Sequence, residues 1–309
     1  MGNATGRSWS GRKMRAVKVI FIGADRRLRP IWRAILFVAA TYFVLSPVLD
    51  WAFSRIADWL NIAPALSPGA VALSELENFL IALISTAAFA LYERRRVDSY
   101  GLAANRVLSR ETLEGFVAGI VMAGAVAFGM ILLGGMRVRG LAFTGGALVR
   151  YALAWLGTSI CVGMAEEFWF RSYFQQTLWK AIGFWPSAVV IALLFAAIHY
   201  FFKQGENVWD VVTLLWISLL LSYSLLRTGT LWFAVGFHVA FDYMQLFVIG
   251  TPNGSLVPVG RLLKVHFIGP AWLTGGVLGT EASFLMYPGL ALLSLYVWWR
   301  FRANPPLKV

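Results

Sequence analysis

Eight ionisable residues lie inside apolar stretches of the chain, away from their ends, and six of them are clustered between positions 166 and 242, after Glu75 and Glu77. The six clustered residues are Glu166, Glu167, Arg171, His199, His238 and Asp242. Carboxylates and imidazoles in an apolar setting can activate a water molecule, transfer protons or bind a metal ion. An ionisable side chain inside a membrane helix costs about 2.5–3.5 kcal/mol on insertion scales, so each one needs a partner or a function. This clustering predicts a polar site inside a membrane protein.

The spacing of these residues predicts two pairs, each on one face of a helix. Glu167 and Arg171 are four residues apart, so they can form an ion pair along one face. Glu166 points about 100° away from Glu167 and lacks that partner. His238 and Asp242 share a face in the same way. Taken singly, the two pairs also fit a structural ion pair and a packing hydrogen bond.

The estimated depths of Glu166, His199 and His238 in the membrane place the three side chains at about the same height. A break at Gly183–Pro186 predicts a helical hairpin, with Glu166 about 18 residues before the turn and His199 about 15 residues after it. At about 1.5 Å per residue these depths are roughly 27 and 22 Å. His238 follows the next cytoplasmic turn by about 9 residues, and its level agrees if the hairpin protrudes by about 10 Å. We therefore expect one pocket beneath the inner leaflet, although His199 alone fits a core or interface histidine better.

Other residues near the pocket have simpler interpretations. Glu75 and Glu77 would either line the pocket or lie near the outer membrane interface, and we favour the interface. Cys161, the single cysteine, is interpreted as a small buried residue rather than a thiol nucleophile. Small residues before the polar positions would let the helices approach closely. They are Gly157, Gly163, Ala165, Ala234 and Gly236.

The composition predicts that membrane helices position the site. Apolar residues make up 59% of the chain and charged residues 14%, against about 25% charged in soluble domains. Apolar runs of about 18–25 residues are long enough to cross the bilayer, and no alternating pattern suggests a membrane barrel. We predict an all-α, polytopic membrane helical bundle with about eight transmembrane helices and an intramembrane polar cavity. The predicted spans are about 32–50, 70–92, 113–135, 147–172, 186–202, 209–227, 230–250 and 283–301.

The distribution of charge predicts the orientation of the chain. Most of the 27 lysines and arginines fall in segments that share one side if the N-terminus is inside, so both termini are predicted to be cytoplasmic. The net charge of +12 is spread over loops and tails, which favours the lipid bilayer over a nucleic acid as partner. We predict a basic tail at 1–29 and a transmembrane domain at 30–309. Residues 251–282 are predicted to form an external loop or a re-entrant segment.

The order of the motifs resembles a known family. Glu166-Glu167-x-x-x-Arg171, Phe195-x-x-x-His199 and His238-x-x-x-Asp242, on successive predicted helices, are similar to the motif set of the CPBP family. That family includes type II CAAX prenyl proteases and bacterial bacteriocin-processing or immunity proteins. The resemblance covers about 148–248, the predicted catalytic core. It implies intramembrane endoproteolysis of a membrane-associated peptide or protein, in a bacterium at the inner membrane.

The resemblance also implies a role for each motif residue. Glu166, assisted by His199, would activate a water molecule for attack on the peptide bond. His238 and Asp242 would stabilise the oxyanion, although the family commonly has Asn in place of Asp242, and an ionised Asp cannot donate a hydrogen bond. The remaining pair, Glu167 and Arg171, would provide structural support.

A metal-dependent version of the mechanism stays open at this point. Glu166, His199 and His238 are a plausible zinc set with water in the fourth position. We favour a mechanism without a cofactor, because no two of these three residues lie on the same helix to preorganise a metal site.

Two other classes of membrane protein compete with the protease. The alternative is a non-catalytic bacteriocin-immunity or scaffold protein that binds a peptide or a partner. A transporter would use the buried Glu and His residues as a proton relay. Transporters usually have repeated halves, whereas the polar groups of this chain are concentrated in three predicted spans, which disfavours a transporter.

Overall fold

The computed structural model of the chain describes residues 20–23, 25–62 and 65–309. Most of the basic tail predicted at 1–29 lies outside these residues. Within them, eight helical segments are long and apolar enough to cross a membrane. The predicted helical membrane bundle is therefore confirmed, whereas the division into a tail and one transmembrane domain stays a prediction.

The first and fourth spans each consist of two helices. In the first span a wider π turn at Thr41–Leu45 joins the two helices, and in the fourth a break at Ser172 separates them. The seventh span continues beyond its α-helix as a π turn at Tyr243–Ile249. The helices are α1 (Pro30–Ala40), α2 (Ser46–Trp59), α3 (Pro68–Glu93), α4 (Arg110–Leu132), α5 (Gly145–Arg171), α6 (Tyr173–Ile182), α7 (Phe184–Phe202), α8 (Val208–Thr228), α9 (Trp232–Asp242), α10 (Ala271–Thr274) and α11 (Met286–Phe301). Short 3-10 turns lie at Val97–Tyr100, Ala104–Arg106 and Gly276–Ala282.

Side-chain caps and glycines define several helix ends. The hydroxyl of Ser109 accepts a hydrogen bond from the backbone of α4, and the Asn207 side chain accepts two from the first turn of α8. Gly229 ends α8 in the left-handed conformation that glycine adopts without strain. Gly183, with a φ of +88°, forms the predicted hairpin turn between α6 and α7. These turns make neighbouring spans antiparallel.

The predicted spans agree with the structure to within about three residues at most of their ends. The fourth span continues through α6 to Ile182 rather than ending near 172, and the eighth begins at Gly276 rather than near 283. The first span was predicted to end near residue 50, but α2 continues to Trp59. The helix therefore runs past the charged residues Asp50, Arg55 and Asp58. A charged side chain near a membrane interface can extend toward water, so it does not have to end a helix.

A two-stranded antiparallel sheet was not predicted from the sequence. Strand β1 (Met136–Leu141) follows α4, and strand β2 (Leu263–Phe267) lies in the segment predicted as a loop or re-entrant segment. Met136 pairs with Phe267 across the sheet. The sheet attaches the 251–282 segment to the same end of the bundle as the start of α5.

Glycines bring α4 and α9 into backbone contact. A Cβ atom at Gly115 of α4 would lie 2.1 Å from the carbonyl oxygen of Phe233, and one at Gly236 of α9 would lie 2.3 Å from that of Thr112. Side chains do not fit at such distances, so the two helices approach along their glycines. This contact fixes α9, which carries His238, against α4.

A third glycine places α5 against the opposite side of α9. A Cβ atom at Gly163 would lie 2.9 Å from a methyl group of Val239. The similar role expected for Gly157 is wrong, because nothing lies within 4 Å of the space beside it. Since α9 is held between α4 and α5, the polar residues of α5 and α9 face each other.

A buried acidic pair, Glu206 and Asp210, lies where the loop after α7 enters α8. Asp210 is fully buried, and the Glu206 side chain is only 1% exposed. Burial, together with the neighbouring Asp210 carboxyl, raises the pKa of Glu206 to about 8. Lys203 lies 3.6 Å from Glu206 and also pairs with Glu281, which connects this loop to the 251–282 segment.

Gly236→Ala should destabilise the protein, and Gly157→Ala should not. The first substitution pushes a methyl group into the backbone of α4, at an expected cost of about 1–3 kcal/mol. The second adds a methyl group in open space within a helix, where Ala is favoured over Gly by up to about 1 kcal/mol. Thermal unfolding in detergent would measure both. Equal unfolding temperatures for the two variants would contradict the backbone contact.

The stability of the protein should depend on the proton carried by Glu206. The folded pKa is above the ordinary value, so the proton stabilises the fold fully below about pH 4.5, and this contribution is lost as the pH rises through about 8. Glu206→Gln keeps a neutral hydrogen-bonding group and should remove this part of the pH dependence. The measurement is the unfolding temperature between pH 5 and 9. If the unfolding temperatures of wild type and variant change with pH in parallel, the pH dependence does not come from Glu206.

Candidate active site

Glu167 and Arg171 form a fully buried ion pair on α5. Nη1 of Arg171 lies 2.8 Å from Oε1 of Glu167, and neither side chain is exposed. Nη2 donates to the hydroxyl of Ser218 on α8 at 2.9 Å. The guanidinium also lies over the ring of Phe195 on α7, 5.5 Å from its centroid. Arg171 therefore connects the three helices that surround the site.

The Glu167 carboxylate also orients His238. Its Oε1 lies 3.1 Å from Nδ1 of the imidazole. A carboxylate only accepts hydrogen bonds, so the ring donates from Nδ1. A hydrogen bond at one ring nitrogen fixes what the other nitrogen faces. Glu167 thus directs Nε2 of His238 toward the neighbouring acidic residues.

Two acidic side chains lie beside that second nitrogen. Nε2 of His238 is 3.4 Å from Oε2 of Glu166 and 3.7 Å from Oδ2 of Asp242. The sequence predicts no partner for Glu166 on its own helix and pairs it functionally with His199, whereas the imidazole in contact with it is that of His238. Oε2 of Glu166 is buried, and no well-aligned hydrogen bond reaches it from the described residues. It is an acceptor available to a bound molecule.

His199 is held by its own helix. Nδ1 lies 2.9 Å from the carbonyl oxygen of Phe195, and the two rings are 4.5 Å apart between centroids. A carbonyl only accepts, so Nδ1 carries the hydrogen and Nε2 of the neutral ring is an acceptor. Phe195 therefore packs on both Arg171 and His199, which explains why an aromatic residue at this position fits the motif.

These residues line one cavity of about 230 Å³. By the same measure a single water molecule needs about 10–15 Å³, so the cavity has room for several waters or for part of a peptide. The motif residues that line it are Glu166, Arg171, His199, His238 and Asp242. Thr251, Asn253 and Glu281 also line it, so the 251–282 segment contributes to the wall.

A second cavity connects the site with the outer face of the bundle. It has a volume of about 490 Å³ and lies between the turn joining α1 to α2 and helices α3, α5 and α7. It shares Glu166 and His199 with the first cavity. Its rim includes the exposed aromatic residues Tyr42 and Phe202. The polar site thus adjoins a groove that opens beside exposed aromatic residues on the outer face of the bundle.

Glu75 lies in the site rather than only at an interface. The carboxyl lines both cavities together with Glu166, and Oε2 accepts a hydrogen bond from Asn78 at 3.3 Å. The expected position at the interface is therefore wrong for Glu75. Glu77 lines neither of these cavities and lies beside Asp50. Cys161 is half-buried and likewise lines neither cavity.

Three further polar residues at the cavity were missed in the sequence. Gln245 follows Asp242 by three positions and His238 by seven, which is the spacing of one helix face and could have revealed it. Lys203 and Glu281 come from separate loops. Their position depends on how those loops fold back, for which the sequence contains no periodic signal.

The side chains as placed do not fit a zinc centre. Within residues 20–23, 25–62 and 65–309, no three His, Cys, Asp or Glu side chains converge closely enough to hold a metal ion. Glu167 occupies one nitrogen of His238, and the other lies beside two carboxylates. The set Glu166, His199 and His238 therefore lacks a common point at ligand distance.

A comparison with protein families identifies the central segment. Residues 148–244 match the model of the type II CAAX prenyl endopeptidases, Rce1-like. No curated protein matches the chain significantly. The matched segment contains all three motifs, so the resemblance drawn from them is confirmed. At the level of the family, the match indicates an intramembrane CAAX-type endopeptidase that acts on a peptide at the membrane. The chain therefore carries, at residues 148–244, a segment that matches the Rce1-like type II CAAX prenyl endopeptidase family.

Proposed function

We propose that the protein is an intramembrane endopeptidase in which Glu166 activates the attacking water. The observation that carries this proposal is the buried Oε2 atom of Glu166. It faces a cavity large enough for water and lacks a well-aligned hydrogen bond from the described residues. A carboxylate in that position can accept a proton from water, which is the task of a general base in amide hydrolysis.

His199 is proposed to hold the water together with Glu166. Nδ1 of His199 donates to a backbone carbonyl, which leaves Nε2 as an acceptor for a hydrogen of water. Both side chains line the same cavity. A water molecule bound by two acceptors has its oxygen lone pairs directed away from them, toward a bound peptide carbonyl.

His238 and Asp242 are proposed to stabilise the negative oxygen that forms on the attacked carbonyl. Nδ1 of His238 donates to Glu167, so Nε2 carries a hydrogen only when the ring is protonated at both nitrogens, and that hydrogen then points toward Glu166 and Asp242 at the cavity wall. A donor fixed in advance stabilises an oxyanion more than a mobile one, because no reorganisation is needed during the reaction. Asp242 contributes through His238, or directly when it is protonated.

The substrate is proposed to be a membrane-associated peptide that reaches the site from the lipid side. The groove between the α1–α2 turn and α7 leads from exposed aromatic residues to Glu166 and His199. An extended peptide can therefore enter without crossing the bundle. We also propose that both termini are cytoplasmic and that the protein lies in a bacterial inner membrane, as the distribution of basic residues favours.

Glu166→Gln should abolish peptide cleavage and leave the protein folded. The amide has nearly the same shape but cannot take a proton from water, so turnover should fall by about 10²–10⁴-fold. His199→Ala should lower turnover in the same direction. The assay uses purified protein in liposomes with membrane peptides, and Glu77→Gln is the matched control because Glu77 lies outside both cavities. Full activity of the Glu166 and His199 variants would contradict these roles, and no cleavage by wild type would favour the non-catalytic immunity or scaffold protein.

Purified active protein should contain far less than one zinc ion per chain, and chelators should leave its turnover unchanged. The physical reason is that the candidate ligands do not converge on a common point. Elemental analysis and titration with a chelator measure the two quantities. Stoichiometric zinc that is lost in His238→Ala together with activity would overturn the metal-free mechanism.

A further inference from the structure

Glu75 brings a second carboxyl group to the cavity from outside the matched segment. It lies on α3, whereas the family match begins at residue 148. Its side chain lines both the cavity of the motif residues and the groove toward lipid, and Glu166 is a neighbour in each. Positions two residues apart are separated by about 200° around the helix axis, so the side chain of Glu77 faces away from the site.

The hydrogen bond of Glu75 holds the carboxyl in place. Nδ2 of Asn78, one turn later on the same helix, donates to Oε2 at 3.3 Å. Neither oxygen of Glu75 is in an ion pair with a described residue, whereas the other glutamate of the first motif, Glu167, is neutralised by Arg171. Glu75 is half-buried beside Glu166, and two carboxyl groups that share a cavity do not both ionise readily, which favours a neutral carboxyl at one of them. A neutral carboxyl is a hydrogen-bond and proton donor.

Amide hydrolysis requires such a donor. The amine leaves only when its nitrogen receives a proton, because an amide anion is far too basic to leave. In the proposed mechanism Glu166 takes a proton from water at the start of the reaction. Nε2 of the neutral His199 is an acceptor, so it cannot supply the proton at that stage. Among the described residues of the cavity wall, Glu166 is the proposed base. Glu75 on α3 is a carboxyl group that can act as the proton donor.

We propose that Glu75 is the proton donor to the leaving nitrogen, which rests on the proposed endopeptidase function. The oxygen of water forms a bond to the carbonyl carbon while Glu166 takes one of its protons. The bond between carbon and nitrogen then breaks as the proton of Glu75 passes to the nitrogen. Glu166 is left protonated and Glu75 ionised. Transfer of a proton from Glu166 to Glu75, directly or through water in the cavity, restores both groups.

The test compares two leaving groups on one peptide. One substrate has an amide at the cleaved bond, and the other has a thioester. The thiolate of a thioester leaves without prior protonation, because the pKa of the corresponding thiol is only about 8.5. Glu75→Gln should lower kcat for the amide by at least about 10-fold and change kcat for the thioester by less than about threefold. Glu77→Gln is the matched control and should change neither rate.

A pH profile separates proton donation from a structural role. For wild type, kcat on the amide should fall at alkaline pH, where the donor loses its proton, and Glu75→Gln should remove this alkaline decrease. Equal losses on both substrates, or no loss on either, would overturn the proposal. If Glu75→Gln fails to fold, Glu75→Asp replaces it, and the ratio of amide to thioester losses is judged in the same way. Undiminished cleavage of both substrates by Glu166→Gln would instead refute Glu166 as the base, and no cleavage of either substrate by wild type would refute the endopeptidase function itself.

Discussion

One buried carboxylate, that of Glu167, accepts hydrogen bonds from two different helices. It neutralises Arg171 on its own helix and orients His238 on α9, and Arg171 in turn reaches Ser218 on α8. In a low-dielectric interior, a charge without such partners would be strongly destabilising. The network therefore holds α5, α8 and α9 in one arrangement. The distance between Glu166 and His238 depends on that arrangement.

The site combines satisfied and unsatisfied polar groups. Oε2 of Glu166, Oε2 of Glu167 and Nε of Arg171 are all buried without a well-aligned partner among the described residues. Glu167 and Arg171 are nevertheless fixed by their ion pair, whereas Glu166 lines the cavity. A polar group without a hydrogen bond in a membrane interior destabilises the fold, and such groups occur mainly at functional sites. The adjacent glutamates thus have different roles, because one lies on the face toward Arg171 and the other on the face toward the cavity.

The sequence predicted most of the fold, because the bilayer imposes the length and apolarity of each span. The ionisable residues of the three motifs could also be identified from the sequence, because they interrupt otherwise apolar runs. It did not predict the place of Glu75, since the position of α3 relative to α5 depends on packing between distant helices. The roles of Glu166, His199, His238 and Asp242 stay predictions. The strand pair β1–β2 was missed because five or six residues give too short a periodic signal.

The contact between α4 and α9 limits how this chain can vary. In an ordinary core, a larger residue on one helix can be offset by a smaller one opposite, because the volume is exchanged between two side chains. At Gly115 and Gly236 the opposing atoms are backbone oxygens, which are the same for every amino acid. No second substitution across this interface can create the missing space. Each of these positions is therefore restricted independently, and the only remedy for a larger residue is a displacement of the helix that carries His238.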